Sequence, residues 1–98
     1  MSDNPNQSSG LKTADAVICA RPCILTGVIC LADATNAADV LLYDHATGAS
    51  GTVVAHVKVP ATGVYADFSS NQGIECLNGL YADLTGTNGK YIVHFRVI

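Results

Sequence analysis

Histidines, cysteines and a few carboxylates are the first side chains in this chain to consider for chemistry. Histidine titrates near neutral pH and is the commonest metal ligand, so His45, His56 and His94 come first. His45 directly follows Asp44, but neighbours on a strand point to opposite faces. A working base must lie within hydrogen-bond reach of its partner. His56 and His94 fall on the polar side of two alternating stretches. If those stretches pair, the two rings become cross-strand neighbours. A metal would still need a third ligand, and the spacing suggests none, so they read as solvent-facing or interface histidines. Cys19, Cys23 and Cys30 lie inside apolar stretches, with Cys76 apart from them. In a reducing compartment such thiols are small buried hydrophobes. An oxidising medium would permit disulfides, and four cysteines leave three pairings open. The three residues between Cys19 and Cys23 lack the second half of a paired zinc pattern. Nothing fixes the separation of Asp67, Glu75 and Asp83, which read as solubilising edge and turn carboxylates. Gly86-Thr87-Asn88-Gly89-Lys90 superficially resembles a phosphate cradle. It lacks the GxxxxGK[ST] spacing and leads into a strand rather than a helix, so it reads as a hairpin turn. No catalytic, cofactor-binding or metal-ligating residue is assigned, and no cofactor is implied.

The elements that would position these residues are strands. Apolar and polar residues alternate through Leu80-Tyr81-Ala82-Asp83-Leu84-Thr85 and again from Tyr91 to the last residue, Ile98. Period-two alternation marks half-buried antiparallel strands. Residues 12–20 give a first strand, broken at Arg21-Pro22 because proline cannot donate to a ladder. Residues 23–32 give a second, almost wholly apolar and so covered on both faces or at a subunit contact. A loop of turn formers follows at 33–39, with at most one helical turn at 36–40. Strands are expected at 40–44, 52–59 and 64–68. Within 52–59, Val53, Ala55, Val57 and Val59 share one face and Val54, His56 and Lys58 the other. Residues 69–73 turn. Residues 73–78 and 79–85 read as two short strands about an Asn78-Gly79 turn. Residues 90–98 close the sheet. Seven or eight strands with turns about every ten residues give an all-β chain, a single antiparallel β-sandwich of immunoglobulin-like or jelly-roll-like type. The expected organisation is a flexible N-terminal arm, residues 1–10, and one sandwich domain, residues 11–98.

Composition narrows the function classes. The 98 residues include no Trp and only two Phe, so Ala and Val must fill the core. Small side chains suit a thin sandwich without an internal ligand cavity. Net charge is −3 and no basic cluster exists, which argues against nucleic-acid binding. Charged residues make up 13%, against about 25% in an ordinary soluble domain. A surface poor in Lys, Glu and Asp is either simply Thr-, Ser-, Asn- and Gly-rich or covered by another protein. No apolar run approaches the ~20 residues that span a bilayer. The first ten residues lack a basic start and an apolar middle, so cytosolic synthesis is expected. Open sheet edges expose backbone groups that can add a strand from another chain.

Three segments carry a resemblance. They are Val40-Leu41-Leu42-Tyr43-Asp44 with Gly51-Thr52-Val53-Val54-Ala55, then Asn78-Gly79-Leu80-Tyr81-Ala82-Asp83-Leu84-Thr85-Gly86, then Tyr91-Ile92-Val93-His94-Phe95. In this order they resemble the small structural proteins of tailed bacteriophage virions, over residues 25–98. The resemblance implies a β-sandwich without enzymatic activity, located on the virion. It implies a capsid decoration (cement) protein that binds the major capsid protein lattice or other virion proteins. Such proteins are commonly homo-oligomers, trimers included. The alternative is a tail- or fibre-associated module, with a loop such as residues 45–51 contacting host glycans. A small enzyme or metal protein built on Cys19, Cys23, Cys30 and the histidines is the reading from a different class. The four cysteines, Cys76 included, lie outside the pattern.

Overall fold

The computed structural model describes residues 6–98, with the side chain of Asn71 left aside. Eight strands are formed: β1 (Gln7–Ser8), β2 (Ala16–Cys19), β3 (Cys23–Leu31), β4 (Ala38–Asp44), β5 (Thr52–Val59), β6 (Tyr65–Cys76), β7 (Leu80–Thr85) and β8 (Lys90–Val97). They make two four-stranded antiparallel sheets, ordered β1-β8-β3-β6 and β2-β7-β4-β5. First pairs with last, second with seventh, third with sixth and fourth with fifth. That is a long ribbon rolled over itself, the jelly-roll arrangement, and the β3–β8 and β4–β7 ladders complete the two sheets. Of the two expected sandwich types, the structure is the jelly roll.

Rolling explains most departures from local expectation. Only β4 and β5 are sequence neighbours within one sheet; every other connection between the described strands crosses the sandwich. The stretch 86–89 is therefore a crossover and not a hairpin turn, because β7 and β8 lie in different sheets. Asn78-Gly79 is likewise a crossover from β6 to β7. Each strand buries its apolar face in one shared core, and that burial outweighs local hairpin closure. No helical turn forms at 36–40. Instead the Asp33 carboxylate accepts the backbone N–H groups of Thr35 and Asn36 at 2.9 and 2.7 Å, closing a side-chain-mediated turn.

The expected first strand, 12–20, is split. Lys12 bridges Tyr91 of β8, while β2 proper pairs with β7 in the other sheet, so residues 13–15 carry the chain across. Within the expected arm, residues 1–5 lie outside the described residues. From there the chain is held: Gln7 and Ser8 pair with β8, and Ser9 exchanges hydrogen bonds with Val93.

The core takes alternate residues from both sheets. Leu25, Val28, Cys30, Tyr91 and Val93 meet Val40, Leu42, Val59, Leu80 and Ala82. Tyr91 is the largest fully buried side chain. Its hydroxyl donates to the Ala14 carbonyl at 2.7 Å, which ties the crossing segment to β8.

Three ladder irregularities occur: one leaves Ile18 as an extra residue in β2, and the other two shape the outer surface. In β5 the ladder steps from Leu42↔Ala55 to Tyr43↔Val53, leaving Val54 as an extra residue. This bulge puts Val53 beside outward Tyr43, so Val53 is 47% exposed and does not share the inner face of Val57 and Val59. In β3 the extra residue is Thr26. Against β8, Leu25 pairs with Phe95 and Gly27 with His94; against β6, Leu25 pairs with Ile74 and Gly27 with Ser69. Four residues, 70–73, thus bow out of β6 opposite Thr26. The turn expected at 69–73 is this excursion inside one long strand, so 73–78 does not begin a separate one. Gly73 has φ 85°, and a Cβ there would strike the Ile24 side chain.

Candidate functional site

The chemistry-bearing residues are dispersed by this topology. His56 and His94 are not cross-strand neighbours, because β5 and β8 belong to different sheets. His56 lies opposite Leu41, with Nε2 3.6 Å from Asp39 Oδ2 in a partly exposed pair of small energetic weight. His45 Nδ1 accepts the N–H groups of Thr47 and Gly48 at 3.2 and 3.0 Å, so the ring closes its own loop. Asp44, its neighbour, accepts the Asn78 N–H at 2.8 Å. Asp67 and Asp83 lie on different sheets. Asp83 is raised above its usual range by desolvation first and by the facing Asp15 carboxylate second, with Asp39 further off.

The four cysteines are free and buried. Cys23 and Cys76 are directly opposite on β3 and β6. A hydrogen bond to Cys76, burial, and nearby Cys19 all hold the Cys23 thiol far above its ordinary range. Burial likewise raises Cys30. The hydrogen bond that raises Cys23 lowers Cys76, yet all four thiols are enclosed in the core, where a cysteine is inert. Among the described residues no group of three or more His, Cys, Asp or Glu side chains has the geometry of a metal site.

Two features of the surface could bind something. The first is an edge. β5 closes the β2-β7-β4-β5 sheet and, among the described residues, pairs only with β4, so the other side of its eight residues is open to them. Past the Val54 bulge, residues 55–59 run in regular register. An open, regular edge is a template for a further strand.

The second is a concavity of about 660 Å³ on the outer face of the other sheet, lined among others by Thr26, Gly27, Ile29, Asp67, Ser69 and His94. Register explains it. Ser8, His94, Gly27 and Ser69 form one row across all four strands. Gly27 contributes no side chain, so the row sinks at its centre between His94 and Ser69. A Cβ there would lie 3.3 Å from the Phe68 carbonyl and 3.7 Å from His94 Nδ1. The next row is Ile92, Ile29 and Asp67. Small core residues predict no internal cavity; this hollow is external, made by a missing side chain and a bulge. Its sequence signal is the lone glycine in Cys23-Ile24-Leu25-Thr26-Gly27-Val28, since glycine inside a strand marks a bulge or a close approach.

Comparison with protein-family models, with curated proteins and with solved structures found no match.

Proposed function

We propose that this chain is a non-enzymatic virion structural protein, a capsid decoration protein that binds the assembled capsid lattice and stabilises it. The observation that carries the proposal is the open β5 edge on a sparsely charged body, with charged residues at 13%. Such an edge accepts a strand from a partner through main-chain hydrogen bonds. Few charged side chains then need desolvating when the face is covered. Binding assembled lattice better than free subunits would stabilise the particle by mass action. Jelly rolls recur in viral capsid and lectin domains, an analogy of fold that leaves the site to be argued separately. The segments resembling phage structural proteins include the first half of β5, in Gly51-Thr52-Val53-Val54-Ala55.

Mass spectrometry of purified particles tests this directly. Hundreds of copies per particle support a lattice site; a few to some dozens support a tail or vertex site; absence from intact particles refutes virion membership. The edge is tested by Val53→Lys. Charged side chains on an edge strand disfavour pairing; β5 already carries Lys58 near its end, and a second lysine at Val53 should weaken particle binding at least tenfold, about 1.4 kcal/mol. The melting curve should barely move, because Val53 is exposed. Full-affinity binding by the variant would refute the edge as the contact. A second reading, a tail- or fibre-associated module that contacts glycans, is favoured by the polar hollow over Gly27.

A further inference from the structure

We propose that the outer face of the β1-β8-β3-β6 sheet binds a neutral saccharide, seated over Gly27 and running along β6 toward Tyr65. The inference rests on the second reading above, for which it names the ligand class, and it does not depend on lattice attachment.

The hollow offers hydrogen-bonding groups that the fold leaves unused. The side chains of Asp67, Ser69 and His94 take part in no hydrogen bond among the described residues. Thr26 also lines the hollow, but its Oγ1 is closed off from solvent and has no partner among the described residues, so it lies beneath the surface that a ligand would touch. Together Asp67, Ser69 and His94 supply carboxylate acceptors, a hydroxyl that donates and accepts, and a ring with two nitrogens. Sugar hydroxyls also donate and accept at once, and a carboxylate is a strong acceptor for two of them.

The chemistry of the lining narrows the ligand. Asp67 is the charged group in the hollow, and no Lys or Arg lines it. The nearest guanidinium, Arg96, is engaged with the Gln72 carbonyl at 3.1 Å and Asn6 Oδ1 at 3.3 Å. An anionic ligand would therefore meet repulsion without a free permanent cation. A peptide strand is also disfavoured. On the sheet face the ladder bonds are already made, so a peptide strand would pair along the outer edge of β6 rather than over Gly27. The apolar side of a pyranose ring has a matching contact in Ile29, which lines the hollow. Tyr65 is 65% exposed and is the next outward residue on β6 before Asp67. It stands about 7 Å from it along the strand, where its ring can cover a second sugar unit. The size is that of a small-molecule site, which typically spans about 300–1,000 Å³.

Amide NMR of isotopically labelled protein tests the proposal. The probes are maltotriose, cellotriose, diacetylchitobiose and lactose, each to about 10 mM, above the millimolar range of a weak single-site ligand. Sialyllactose and an alternating Val/Thr heptapeptide are the controls. At least one neutral sugar should give saturable shifts at the amides of Thr26, Gly27, Asp67, Ser69 and His94. Asp67 and Ser69 are exposed, so Asp67→Ala and Ser69→Leu should keep the native spectrum and weaken binding at least tenfold. Any of four results overturns the proposal: no shifts from the four sugars, shifts confined to residues 45–51, undiminished binding by both variants, or tighter binding of sialyllactose or the peptide at this face. The assay uses purified protein, so its result is separate from virion membership.

Discussion

Tyr91 is where packing and hydrogen bonding in this fold can be measured separately. Its ring is fully buried at the centre of β8, and its hydroxyl donates at 2.7 Å to the Ala14 carbonyl on the segment that changes sheets. Tyr91→Phe removes the bond and keeps the ring. The net worth of such a bond is about 0.5–1.5 kcal/mol. Ala14 is exposed, so its freed carbonyl regains water, which puts the expected loss near 1 kcal/mol. Tyr91→Ala also empties the largest space in the core, at about 3–5 kcal/mol for an aromatic deletion. Against the 5–15 kcal/mol typical of a domain, that brings the alanine variant close to unfolding.

Urea titration followed by circular dichroism reads both. With m of about 2 kcal/mol/M, the Phe variant should lose roughly 0.5 M in midpoint and the Ala variant roughly 1.5–2.5 M. The pH dependence adds an independent check. Burial first and the Asp15 charge second push the Tyr91 hydroxyl from 10.0 up to about 12. Below 10 the tyrosine is protonated in both states and its bond contributes fully. Above 10 the unfolded chain releases the proton and the folded chain does not. Stability then falls by up to about 1.4 kcal/mol per pH unit until the folded value is reached. The Phe variant lacks this loss, so the two stability curves should cross near pH 11. A Phe variant as stable as the parent at pH 7, an Ala variant losing under about 2 kcal/mol, or parallel curves above pH 10 would each refute the assigned role.

Gly86 has φ 118°, and a Cβ there would collide with the Ala37 carbonyl and the Ala38 backbone. Gly86→Ala should therefore cost about 2–4 kcal/mol from strain and overpacking together, read as a lower urea midpoint; a change below about 0.5 kcal/mol would place the crossover differently. Asp33 is held well below the usual carboxylate range, chiefly by the Asn88 side-chain bond and then by the Asn36 and Thr35 N–H groups. A depressed acid contributes above its unfolded value of 3.8 and loses that contribution as pH falls below it. Asp33→Ala should lower the melting temperature at pH 7, and the gap to the parent should shrink toward about pH 2; a gap independent of pH would contradict the assignment. The four thiols are buried, so Ellman's reagent should react negligibly with the native protein and titrate all four in denaturant. A fast native phase would show that a cysteine is accessible.

The two surface sites were unequally legible in the sequence. The edge character of β5 depends on which strand ends up outermost, and no local pattern encodes that. The hollow left a local trace in Gly27, yet its walls come from Ser69 and His94, which are 42 and 67 positions further along the chain. Register across three strands brings them together. The pairing of His56 with His94, plausible from alternation alone, failed because strands with identical patterns can enter either sheet. The carboxylates Asp67 and Asp83 were separated for the same reason.

What the residues determined alone is the kind of element and its inward face. Alternation from Leu80 to Thr85 and from Tyr91 onward needs only one buried side per strand, and β5 spans Thr52–Val59 as its pattern requires. Tertiary structure decided the partners. Short glycine-containing links such as 86–89 are compatible with a hairpin, but a hairpin there would not close one core between two sheets. Rolling first against last buries both sets of apolar faces at once, at the expense of bulges at Val54 and Thr26 that move Val53 outward and open the hollow. Side-chain period is a property of a few consecutive residues, whereas sheet membership is a property of the whole chain's packing.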